Sequence, residues 1–243
     1  MRAALRRLPF LNFRIFLLLA LGLLPEAAAE AAFYVDDFEV DEVGSCAVES
    51  WISYASNKDF MAVTSPSCVV QVGKSPVEIG AEYQRSRENG EWKTTGSVSG
   101  KVTLVRMTKG IGIGLSGETN WNLITGASAG GNINVPVSFD IGKNVRLNVN
   151  GGYLYDAPTQ GHYGTWGIGA EWTINPKVAL IGEVFGQAGS RGETTTTQQP
   201  RFQTGIRYSL KSNVDLLLIY GRNLNGENAN WVTLGTNFSF QAK

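Results

Sequence analysis

Long apolar runs, histidine and cysteine are all scarce in this chain of 243 residues. The apolar segment at residues 15–24 has ten residues. A helix needs about 20 to span a bilayer, so this segment is too short to cross one. The single histidine, His162 in "TQGHYGTW", has no serine at the H-x-S spacing of a membrane phospholipase. A barrel-type hydrolase needs a histidine set beside a nucleophile or an acid, so the enzymatic reading falls away. With only two cysteines there is no C-x-x-C pair and no Cys/His constellation for a metal. The glycine-rich "GIGIGLSG" (110–117) lacks the lysine and the strand-to-helix context of a phosphate loop. It reads as a strand whose glycines allow curvature or close packing. No cofactor and no catalytic residue are expected. Charged residues make up 17% of the chain and the formal net charge is zero, which gives no electrostatic reason to expect nucleic acid.

What is present is glycine, 29 residues of it, and 10% aromatics. Glycine is costly inside helices and aromatics favour strands, so the composition points to an all-β chain. The first residues stand apart. Arg2, Arg6, Arg7 and Arg14 precede the ten-residue apolar core, Pro25 breaks it, and Ala27 and Ala29 supply small residues for a peptidase. This is the pattern of a secretory signal peptide over 1–29, with cleavage between 29 and 32. The remaining chain has 17 basic and 20 acidic residues, a net of −3. Export would put Cys46 and Cys68 in an oxidising compartment. Residues 30–44, rich in Asp and Glu, read as an acidic N-terminal periplasmic segment, a solvated tail rather than a plug.

From residue 45 to the end the chain reads as a barrel. Twelve short segments recur, at about 45–55, 60–72, 76–86, 91–106, 109–120, 127–141, 145–156, 162–174, 178–188, 200–210, 214–223 and 230–241, with no convincing amphipathic helix between them. In "NWVTLGTNFSFQ" Val232, Leu234, Thr236, Phe238 and Phe240 share one face, and Thr233, Gly235, Asn237, Ser239 and Gln241 the other. Such period-two alternation makes strands with one apolar and one polar face. Every second connection is short and carries lysine, as in "IGKNV", "INPKV" and "LKSNV"; the intervening ones are mostly longer and more polar. Val145, Val178 and Val214 follow three of the short turns at a near-constant hairpin spacing, as in an up-and-down meander.

An apolar band on an even number of strands, closed so that no edge is left unpaired, fits a transmembrane β-barrel. Phe139, Trp172, Tyr208 and Phe240 fall near the tight-turn ends. Tyr54, Trp92, Trp121, Tyr155, Tyr220 and Trp231 fall near the loop ends, giving two aromatic belts. The predicted fold is an all-β, up-and-down antiparallel barrel of about 12 strands in the bacterial outer membrane. Its partners would be outer-membrane lipid, the barrel-assembly machinery and a small-molecule solute.

If "SNKD" (56–59) caps the first hairpin, Cys46 and Cys68 lie equally far from its centre and face each other, which predicts a disulfide near the periplasmic end. The polar faces place Glu49, Glu78, Glu82, Lys93, Lys101, Glu118, Arg146, Glu171, Glu183, Arg201 and Arg207 in the lumen. There they either pair with one another and fill it, or set the selectivity of a water-filled path. In "VDLLLIYG" Leu217 and Ile219 also fall inward, and a polar lumen gives no reason for them.

The final stretch, "RFQTGIRYSLKSNVDLLLIYGRNLNGENANWVTLGTNFSF", resembles the terminal strands of bacterial outer-membrane barrels. In particular it resembles the transporter family named after the MetA pathway of phenol degradation. That resemblance implies passive passage of small solutes, hydrophobic or aromatic compounds among them. The contrasting reading is a closed, side-chain-plugged barrel with a structural or surface role through loops such as "GSRGETTTTQQP".

Overall fold

The computed structural model of the chain describes residues 32–108, 110–191, 194–224 and 229–242. The signal-peptide reading of 1–29 lies outside them. Twelve strands run through the described residues: β1 (Ser45–Ala55), β2 (Phe60–Val72), β3 (Ser75–Glu88), β4 (Glu91–Thr108), β5 (Ile111–Asn122), β6 (Ser128–Ile141), β7 (Val145–Asp156), β8 (Gly161–Asn175), β9 (Val178–Arg191), β10 (Thr194–Lys211), β11 (Val214–Asn223) and β12 (Asn230–Gln241). Each pairs antiparallel with its neighbours in sequence, and β1 pairs with β12, from Ser45 opposite Gln241 to Ala55 opposite Trp231. The sheet is a closed barrel with no free edge, so every strand has a partner on both sides without help from water.

Alternation sorts the side chains as period two requires. Along β12, Thr233, Asn237 and Ser239 are buried inside while Val232, Leu234 and Phe238 are exposed outside. The outward face carries Ile52, Ile79, Val98, Leu115, Ile168 and Leu218, all well exposed. This is an apolar surface suited to hydrocarbon, with Tyr54, Trp92 and Tyr220 at one rim and Trp172, Tyr208 and Phe240 at the other. Trp231 departs from the expected belt. It shares the inward face of β12 with Thr233, opposite Gly221, and its indole occupies the space a Cβ on Gly221 would need.

The expected strand bounds match closely except at β9–β10. The "TTTT" run, read as loop, continues the hairpin, with Thr194 opposite Arg191 and Thr197 opposite Ala188. β-branched threonines favour an extended backbone, so the ladder outlasts the hydrophobic pattern. The "RENGE" connection also closes more tightly than expected. Asn89 and Gly90 both take positive φ (51° and 86°), the two-residue turn that matches strand twist.

Cys46 and Cys68 sit opposite each other in the β1–β2 register and form a disulfide, with Cα atoms 4.0 Å apart. By alternation with the inward Ala47, the bridge lies on the outer face, in the row of Phe240.

Candidate functional site: a lumen crossed by its N-terminal segment

The acidic segment ahead of β1 is not a solvated tail. Residues 32–39 cross the inside of the barrel as a strap, in which Val35 and Phe38 are each 3% exposed. The contacts explain why. A non-helical segment crossing a lumen leaves its backbone N–H and C=O groups without a ladder, and buried ones need partners. Here inward side chains supply them. The Glu183 carboxylate on β9 accepts from Tyr34 N (3.0 Å) and Val35 N (2.7 Å). It also accepts from Gln203 Nε2 on β10 (3.1 Å), while that amide donates to Ala32 O. Asn150 on β7 clamps Asp36 from both sides, accepting from its N (2.8 Å) and donating to its O (2.7 Å). Phe38 N donates to Ser138 Oγ on β6, and Phe38 O accepts from Thr103 Oγ1 on β4.

Apolar and charged contacts complete the docking. Tyr34 stacks on Phe185, with centroids 4.2 Å apart. A Cβ on Gly112 would come within 2.6 Å of the Phe38 ring, and one on Gly167 within 2.8 Å of Val35 Cγ2. The inward glycines of β5 and β8 are therefore the seats of two strap side chains, which gives "GIGIGLSG" its reason. Leu217 (3% exposed) and Ile219 (0%) line the same interior, where Ile219 and Phe33 both crowd the position of a Cβ on Gly205. The inward leucine and isoleucine of β11 thus belong to the apolar side of the lumen, where Phe33 docks.

Lys101 binds Asp36 (2.8 Å) and Asp37 (3.0 Å), and Arg146 binds Glu39 and Asp140 (each 2.9 Å) and reaches Asp37 at 3.7 Å. Burial pushes the Asp36 carboxyl above its ordinary range, against the pull of the Lys101 ammonium. Burial raises Asp41 too, with the like charge of Asp37 adding to it.

The predicted lumen charges therefore separate into groups. Lys101, Arg146 and Glu183 hold the strap, a role outside both alternatives drawn from the sequence. Glu171 and Arg207 pair directly with each other across the β8–β10 side. Glu49, Glu78 and Glu118 line a cavity of about 250 Å³ together with Asp36, Asp37 and Asp41. Glu82 faces inward opposite Ser97. Lys93 is half exposed and pairs with Glu88 (2.7 Å), so it belongs to the rim rather than the interior. Arg201 is exposed, opposite Phe185 and Asn223 near the loop end. A second cavity of about 650 Å³ opens among the tight turns, between Lys143, Lys177 and Lys211, and shares Asp37 and Glu39 with the first. The strap thus stands between a vestibule and an acidic chamber.

Residues missed by charge-based reasoning are the neutral holders Ser138, Asn150 and Gln203 and the seating glycines. The available signal was the pairing of inward glycines in G-x-G steps with inward Leu217, Ile219 and Phe185, a lumen with room on one wall and grease on another.

Solved structures with this architecture include the COG4313 outer membrane channel from Pseudomonas putida F1 (TM-score 0.61, 10% identity, covering 84% of this chain and 98% of that one). The NanC porin (0.59, 10%, 79% and 98%) and the KdgM porin (0.58, 9%, 80% and 99%) are similar too. At these identities the likeness is one of fold, that of outer-membrane porin-like barrels. No curated protein sequence matches the chain. Residues 17–240 do match a family model, and the chain belongs to the family described as Uncharacterised conserved protein UCP029691.

Proposed function

We propose that this protein lets small solutes pass passively across the outer membrane, through a lumen that its own N-terminal segment narrows. The observation that carries the reading is the chain of two cavities on either side of the strap, about 650 and 250 Å³, inside a closed barrel. The similar structures are porins and an outer membrane channel, which supports the same class and speaks for a non-enzyme. The lumen has two chemical sides. Glu49, Glu78 and Glu118 make the chamber acidic, which favours cations. Ile181, Phe185, Leu217 and Ile219 make an apolar wall, compatible with the hydrophobic or aromatic solutes that the resemblance to the MetA-pathway transporters implies. Cleavage of the leader between 29 and 32 would free the segment to lie where it does, and the barrel-assembly machinery would insert the strands.

Liposome swelling with the purified full chain tests this. Uptake of small neutral and aromatic solutes, falling with solute size, is the expected result. Absence of uptake for every solute supports the second reading, a closed barrel, which the firm attachment of the strap to five strands favours.

A further inference from the structure

The loop end of the barrel carries a cationic site on the wrong face for a soluble partner. On β3, Glu78 and Gly80 line the lumen, so by alternation Arg85 and Arg87 point to lipid. Their register partners agree: Arg87 lies opposite Phe60 and Trp92, in the row of Tyr54, and Arg85 lies opposite Ala62 and Thr94. Both guanidiniums close on one indole, with Arg85 Cζ 4.9 Å and Arg87 Cζ 5.7 Å from the Trp92 ring centre.

Neither has an acidic partner among the described residues. Arg85 Nη1 donates to Thr94 Oγ1, and Arg87 Nε and Nη2 donate to Lys58 O. Lys58, in the adjoining turn, has no ion pair among the described residues either. Asp59 of that turn is occupied by Asn57 and by Asn89 N. Glu88 turns to Lys93, on the inward parity. An outward arginine is costly in hydrocarbon, and the cost falls near the headgroups. Two of them beside a lysine, set on an aromatic platform and ion-paired to no carboxylate among the described residues, form a receptor for an anion that comes from the membrane itself.

We propose that Lys58, Arg85 and Arg87 bind the phosphate of a phosphorylated glycolipid headgroup in the outer leaflet, with Trp92 and Phe60 flanking its acyl chains at the interface. The assignment rests on the outer-membrane reading, because the strand ends at Tyr54, Phe60 and Trp92 then meet the outer leaflet. The site lies on the outside of the wall, so it can fail while solute passage stands, and passage can fail while the site stands.

Native mass spectrometry of the purified full chain, titrated with diphosphorylated lipid A in detergent, tests the proposal. The wild-type chain should retain one lipid through detergent release. R85Q/R87Q should bind it about thirtyfold more weakly, and R85K/R87K should recover part of the loss. The same lipid stripped of phosphate should bind the wild-type chain as weakly as diphosphorylated lipid binds R85Q/R87Q. K177Q, at the opposite end, should bind like wild type. Heat-modifiable gel migration monitors folding, and K58Q gives a second, loop-borne variant if the double variant does not fold. Equal lipid retention by wild type, R85Q/R87Q and K58Q overturns the proposal. So does equal retention of the dephosphorylated lipid, or saturation by inorganic phosphate with no gain from the acyl chains.

Discussion

Glu183 shows how one side chain can carry a whole device. Its carboxylate accepts from two consecutive backbone amides of the strap and from Gln203. Hydrogen bonds to a charged group contribute about 1.5–3 kcal/mol each in a buried setting, and a lost acceptor leaves donors unsatisfied. E183A should therefore release residues 33–36 while leaving the ladders of β9 intact. G112V should do the same at the other end, because its side chain and the Phe38 ring claim one space. Limited proteolysis of the folded protein reads both: the variants should be clipped ahead of β1 at least tenfold faster than wild type, with the barrel resistant. Unchanged clipping in both would mean that these contacts do not hold the strap.

At the scale of the element, each stave was legible because membrane strands repeat one rule. Apolar and polar residues alternate, a lysine-bearing turn follows, and the opposition of Cys46 and Cys68 comes from counting back from a hairpin tip. The strap was not legible, for a reason that is physical. "FYVDDFEV" has the acidic, short look of a solvated tail, and the backbone hydrogen-bond partners of residues 32–38 lie 65 to 171 residues away on five different strands. Nothing local encodes them. Inward Leu217 and Ile219 were the trace of it, visible as an anomaly in β11 but without a partner to explain it. The hairpin disulfide gives a separate prediction. It closes a 22-residue separation, and a loop of that size stabilises by about 3 kcal/mol in the chain-entropy model. C46S/C68S should keep the barrel fold and lower the midpoint of heat-modifiable gel migration, as should reductant with the wild type. No shift in either would show that the barrel's own ladders already hold β1 to β2.

For the whole molecule, the wall and the strap have different jobs. The closed ladder from β1 to β12 gives a rigid cylinder with an apolar exterior. The segment inside it decides how much of that cylinder is open, and it does so with polar contacts that leave an acidic chamber on one side and a lysine-ringed vestibule on the other. Single-channel conductance of the full chain against a chain lacking residues 33–41 tests this directly. The strap account predicts a small, cation-preferring conductance for the full chain and one several times larger for the deletion. Equal conductance in the two would contradict it, since a segment that crosses the lumen cannot be removed without widening the path.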